Sequence, residues 1–174
     1  MRTISSLARP IPRKGNDVTI KGANLQLVNG LGHTDCTDEQ EEPIPDCPNG
    51  LGNLIVGYNE SRVPNFGEDI RTGSHNVVVG QRHNFSRFGG LVVGDVNTIS
   101  GDFASVSGGD TNTASGARSA VSGGAANTAS GVASVVSGGN GNTASGESSV
   151  VSGGQNRTAA GEFDWVAGSL VEDD

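Results

Sequence analysis

A Val followed two residues later by Gly recurs at Val106, Val121, Val136, Val151 and Val166, 15 residues apart each time. The text after the first four is nearly fixed: "VSGGDTNTASG", "VSGGAANTASG", "VSGGNGNTASG" and "VSGGQNRTAAG". The frame runs backwards through Val92 and Val78, at a spacing of 14, and then to Ile55 across a 23-residue step that holds one coil plus an insertion at 59–74. Eight coils can be recognised in this way. A period this short cannot hold a helical hairpin, and Gly and Asn at fixed offsets oppose helix. One turn of a β-solenoid fits it, with two short strands and two corners per coil.

The strand candidates are the "SVVS" and "NTAS" segments, whose Ser, Thr and Val content suits a pleated surface. Strand alternation turns the central Val inward together with the Ala or Ser two residues before it, and the flanking Ser outward. The inward rungs are then Ile55, Val78, Val92, Val106, Val121, Val136, Val151 and Val166. The corners fall to Gly57, Gly80, Gly94, Gly108, Gly123, Gly138, Gly153 and Gly168, where positive φ is open to glycine. With 28 Gly, 33% hydrophobic and 4% aromatic residues, the chain lacks the large side chains of a compact core. Pairing of backbone groups between stacked coils, about 4.7–4.9 Å apart, takes the place of that core. The "NVVVG" and "GLVVG" coils are apolar on both faces, so part of the outer face there is expected to be covered by another chain.

The net charge of −8 comes from the flanks, chiefly "CTDEQEEPIPDC" at 36–47 and the ending "VEDD". Within 104–161 only Asp110, Glu147, Arg118 and Arg157 are charged, and they cancel. An acidic chain without a basic stripe is a poor match to nucleic acid or an anionic membrane, and no run is long enough to span a bilayer. The opening "MRTISSLARPIPRKG" has no apolar segment of the secretory kind. Export is therefore expected by another route, or from a longer chain. Cys36 and Cys47 bracket an acidic, Pro-containing loop. A disulfide there is favoured and would mean an oxidising, extracellular setting; the alternative is two free thiols in a cytosolic protein.

Little in the chain points to chemistry. His33, His75 and His83 read as loop histidines without metal-ligand spacing, and Cys36 and Cys47 have only His33 as a nearby metal partner. "GGNGN" at 138–142 resembles a calcium-binding nonapeptide but has the wrong period and no Asp. The acidic 36–47 loop reads as solvated rather than as a cation site. No Ser, His and Asp constellation recurs on hydrolase motifs, and the neutral repeats offer no clustered carboxylates, so neither an enzyme nor a cofactor is expected. Thr113, Thr128, Thr143 and Ser115, Ser130, Ser145 form hydroxyl rows. These read as a solvated face, with ice or polysaccharide binding as the rival.

On these residues the chain resembles the heads of YadA-like trimeric autotransporter adhesins. "NLIVG" (53–57), "NVVVG" (76–80) and "GLVVG" (90–94) match the first half of that family's 14-residue repeat; "TISG" (98–101), "TASG" (113–116, 128–131, 143–146) and "TAAG" (158–161) match the second. The resemblance covers roughly 53–169. It implies a left-handed parallel β-roll, suggests a homotrimer, and hints at adhesion to host matrix or to cells. The later coils depart by an extra Gly and by Ser around the Val. Neither a coiled-coil stalk nor a C-terminal β-barrel is visible, so a full autotransporter is not expected.

The expected fold is therefore all-β: a single-stranded, left-handed parallel β-roll or β-solenoid with 14–15-residue coils, as a homotrimer. Residues 1–16 form a lead-in or stalk stump, and 17–52 hold N-terminal strands ("NDVTIKGANLQL") and the cysteine loop. Residues 53–169 are the roll, and 162–174 form a cap carrying Phe163, Trp165 and Leu170. Loops at 33–48 and 59–74 are where specificity is expected. The expected function is that of a non-enzymatic extracellular adhesive or structural module, a rigid spacer or binding surface. Its partners would be its own copies and a matrix, cell-surface or polysaccharide ligand; the ligand-binding residues are not legible. A phage or contractile-injection tail-fibre segment is the alternative setting.

Overall fold

The computed structural model describes residues 13–14, 17–18, 25–38 and 42–168. Among them there is no helix, and none that could cross a membrane. Two parallel sheets run the length of the roll. One has eight strands, Leu54–Val56, Val77–Gln81, Leu91–Asp95, Ser105–Val106, Ala120–Val121, Val135–Val136, Val150–Val151 and Trp165–Val166, stacked in chain order. The other has six, Asn84–Phe85, Thr98–Ile99, Thr113–Ala114, Thr128–Ala129, Thr143–Ala144 and Thr158–Ala159. Every neighbouring pair in these two sheets is parallel and in register with the sequence repeat, as in Val121↔Val136 and Thr128↔Thr143. Most strands are only two residues long, too short to persist alone. Each is held because its N–H and C=O groups bond the coils on either side, for example Ser107 N–H to Val121 O at 3.0 Å and Thr113 N–H to Asn127 O at 2.8 Å.

The eight Val-type anchors are all strands, yet the solenoid makes about six turns rather than eight coils. The first anchor, at Ile55, has no second strand in its own coil. The 59–74 insertion runs there instead, and its Ile70 O accepts from Phe85 N–H at 2.9 Å while Gly73 N–H donates to Phe85 O at 3.0 Å. The insertion is thus partly a paired edge of the six-stranded sheet, covering backbone groups that would otherwise be open.

The core is one cluster along the axis, in which Val106, Val121, Val136 and Val151 face Ala114, Ala129, Ala144 and Ala159, all fully buried. Ala104, Ser119, Ser134 and Ser149 lie inward beside them. In the earlier coils Val78 and Val92 face the larger Phe85 and Ile99. Ile99 fits because Gly90 has no side chain: a Cβ there would run into the Ile99 Cδ1 methyl and the Ala104 carbonyl oxygen. The later coils put Ala or Ser at the Gly90 position and shrink the facing residue to Ala.

Several expectations are corrected. Ile55 is not a buried rung: its side chain is 47% exposed, because no facing strand covers it. Val166 is only partly buried. Phe163 and Trp165 are 71% and 69% exposed, so they do not cap the stack. Leu170 and the "VEDD" ending lie outside the described residues. At the other end a hairpin pairs Arg13–Lys14 with Asp17–Val18, across the expected lead-in boundary, and Leu25 and Leu27 are in no strand. Ile20 lies outside the described residues.

The corner glycines are corrected too. Gly57, Gly80 and Gly94 have positive φ, and a Cβ on Gly94 would strike the carbonyl of Gly109, not Gly108. The tight corner of the 15-residue coils is therefore the second Gly of each pair, Gly109, Gly124, Gly139 and Gly154, all at positive φ. Gly108, Gly123, Gly138 and Gly153 are the added residue of the longer coil; Gly138 and Gly153 have the expected positive φ, Gly108 and Gly123 do not, and a Cβ on the last three would meet nothing within 4 Å. Gly168 has no positive φ and only an ordinary contact at 3.7 Å.

Positive φ is not reserved for glycine in this roll. Thr111, Ala126 and Asn156 at one corner, and Phe103, Arg118, Ala133, Ser148 and Phe163 at another, have φ between 53° and 61°. Each left-handed turn aims an N–H back at the preceding coil, as in Ala126 to Asp110 O at 3.1 Å and Ser148 to Val132 O at 2.8 Å. Those bonds between layers offset a conformational cost of about 1 kcal/mol or more per residue.

Candidate functional site

The acidic loop closes as a disulfide, Cys36–Cys47, with Cys36–Thr37 and Pro43–Ile44 paired antiparallel across it. Arg87 fastens this hairpin to the roll. Its Nη1 donates to the Asp46 carbonyl at 2.8 Å, while Nε and Nη2 grip the Asp102 carboxylate at 2.6 and 3.0 Å. Both acidic partners raise the Arg87 pKa, Asp102 by the larger amount.

A column of asparagines inside the roll went unrecognised in the sequence reading. Asn112, Asn127 and Asn142 are fully buried, and the side-chain oxygen of each accepts the backbone N–H one coil on: Asn127 N–H to Asn112 at 2.9 Å, Asn142 N–H to Asn127 at 2.9 Å. The Nδ2 of Asn127 donates to Gly123 O and Gly139 O, both at 3.0 Å. One side chain thus makes three bonds that tie its own coil to the next, which is why a polar group sits at zero exposure in a narrow core. Its signal was present all along as an Asn at constant offset in every "NTAS".

The column starts at Asn59 and passes through His83, which is corrected from a loop histidine to a fully buried ladder member. His83 N–H donates to Asn59 Oδ1 at 2.6 Å. Its Nδ1 accepts from Asn97 N–H at 3.2 Å, leaving Nε2–H to donate to Val79 O at 3.1 Å. The ring therefore repeats the bonding of an Asn, whose Nδ2 reaches the carbonyl four residues back, as Asn97 does with Val93 O at 2.7 Å. Burial lowers the His83 pKa and keeps the ring neutral. Arg157 ends the column, its N–H taken by Asn142 Oδ1 at 2.9 Å. Beside the first coils, buried Arg62 threads from the insertion onto carbonyls of Arg82, Val96 and Asn97, each at 2.6 Å. Burial lowers the pKa of its guanidinium.

These groups are occupied in holding layers together. Among the described residues no group of three or more His, Cys, Asp or Glu is arranged to hold a metal ion. A cleft of about 540 Å³ lies between the 26–34 loop and His75, and no acidic side chain lines it. The surfaces left for contact are the outer faces of the two sheets. On the six-stranded sheet Thr98, Thr113, Thr128, Thr143 and Thr158 stand in register, with exposed Ser115, Ser130 and Ser145 two residues on.

The eight-stranded sheet changes character along its length. Its first coils present Leu54, Val77 and Leu91 in register beside Val56, Val79 and Val93. Its later coils present Ser105, Ala120, Val135, Val150 and Trp165 in register beside exposed Ser107, Ser122, Ser137 and Ser152. No family model, curated protein or solved structure matches this chain, so its fold and faces stand on the repeat and the geometry alone.

Proposed function

We propose that the chain is a non-enzymatic extracellular module, a homotrimeric left-handed roll of the YadA-like head type, serving as a rigid adhesive spacer. The observation that carries the reading is where apolar surface is left bare. Fourteen of the eighteen large hydrophobic side chains exposed among the described residues lie between Leu25 and Val77. That includes all three residues of Leu54–Val56, while Val78, Val92, Val106, Val121, Val136 and Val151 of the same sheet are fully buried. A monomer that leaves so much apolar surface at one end is short of a partner, and copies of itself are the cheapest one to specify. The disulfide supports an oxidising setting.

Light scattering on the purified chain tests this. A mass three times that of the chain is expected at micromolar concentration, falling to one after Val77→Glu; a wild-type monomer refutes the trimer. The in-register Thr column favours a second reading, binding to ice or to a polysaccharide surface. Thermal hysteresis lost on Thr128→Tyr would support it, and its absence from the wild type would remove the ice reading.

A further inference from the structure

Trp165 is the chain's one Trp, and it lies on the outer face rather than over the end of the stack. It continues the column Ser105, Ala120, Val135, Val150, paired directly with Val150. Its indole N–H donates to Ser152 Oγ at 2.8 Å, which fixes the ring against the preceding coil, yet the residue stays 69% exposed. A large apolar ring held in one orientation and left in water serves no packing purpose, and Trp is enriched where a partner is to be met.

The surroundings narrow the partner. From Ser105–Ser107 through 120–122, 135–137 and 150–152 to 165–167 the strip has no charged residue. It alternates small apolar side chains with Ser hydroxyls at a coil rise of about 4.8 Å. An ionic ligand would find no counter-charge there, and the chain's net charge of −8 opposes anionic polymers. A neutral sugar chain matches both properties: its ring C–H faces are apolar and its rim is hydroxylated.

We infer that this strip is a binding track for a neutral linear polysaccharide, with one sugar ring stacked on Trp165 and the chain running over the Ser and Val rows of the coils before it. The track lies on the other sheet from the Thr column, in the same outward column as Val77, and requires that no neighbouring copy cover Trp165.

Because the chain has a single Trp, its intrinsic fluorescence reports on the site directly. Titration of the protein with cellohexaose and hexa-N-acetylchitohexaose is expected to give a saturable blue shift with at least one of them, and none with polygalacturonate. Trp165→Ala should weaken binding to an insoluble form of the same glycan at least about tenfold. Trp165→Tyr should keep most of it, and Ser152→Ala, which frees the ring, should cost about threefold. Circular dichroism on each variant checks that the roll is intact. The inference is overturned by the lack of a saturable shift with either neutral probe, or by unchanged binding in Trp165→Ala. It is also overturned if acrylamide fails to quench Trp165 in the free protein, which would mean another copy covers it. A monomer by light scattering with glycan binding intact would remove the trimer and leave the track standing.

Discussion

The coils of 53–101 and those of 102–168 solve one problem in two ways. The early coils have 14-residue periods, large inward side chains such as Phe85 and Ile99, a paired insertion and ion pairs such as Arg82–Asp95. The later coils have 15-residue periods, Val and Ala inside, a continuous Asn column and glycines pressed against the next layer. Where side chains are large, packing adds to the tight glycines and the polar column that the early coils also have, and copies can differ. Where they are small, the layers are held by backbone proximity and one repeated polar side chain, and each copy must match its neighbours. Near-identity of the later copies is thus a geometric requirement.

The strongest way to break that contrast is at Gly131, where a Cβ would run into the carbonyl oxygen of Gly146. Gly131→Ala should cost about 3 kcal/mol or more in chemical denaturation followed by circular dichroism. Gly123→Ala points into open space and should change stability by less than about 1 kcal/mol. Equal losses at the two sites would contradict the close approach of successive layers at Gly131.

Next in size is the Asn column. Asn127→Ala leaves Asn142 N–H without its acceptor and removes a donor from two glycine carbonyls, for an expected loss of about 2–4 kcal/mol in the same measurement.

His83 makes the early column pH-dependent. Its folded pKa lies below its unfolded value of about 6.5, so its contribution is fully present above that value and is lost as pH falls through the folded pKa. Denaturation midpoints compared between pH 7.5 and 5 should fall for the wild type and fall less for His83→Asn, which can keep the same two bonds.

The smallest effect has the opposite sign. The Ser119 and Ser134 hydroxyls are buried without a hydrogen-bond partner, and Ala104 holds the equivalent place one coil earlier. Ser134→Ala is expected to stabilise by about 1 kcal/mol; a loss of that size would mean the hydroxyl is bonded after all.

Much of this was legible because strand alternation is local. Val121 faces in and Ser122 faces out on sequence grounds, and the 15-residue period places Val136 above Val121. The error at Gly108 and Gly123 arose because both glycines of a pair look alike in sequence; which one is tight depends on where the next coil's carbonyl lies. Ile55 misled for a similar reason. It carries the rung motif, but burial needs a facing strand, and the insertion took that strand's place. Phe163 and Trp165 suggested a cap by size and position, although strand register turns Trp165 outward beside Val150. Asn127 was visible at constant offset, yet a polar residue in a strand-flanking turn gives no local sign of being buried.

The sequence by itself determined the period, the all-β stack and the inward Val rungs, since these follow from spacing and alternation within a single coil. Only the tertiary structure decided the tight corners, the Asn column with His83 as a member, and the outward exposure of Trp165. Those depend on contacts 14 to 15 residues apart, where distance between layers rather than residue type sets what each side chain does.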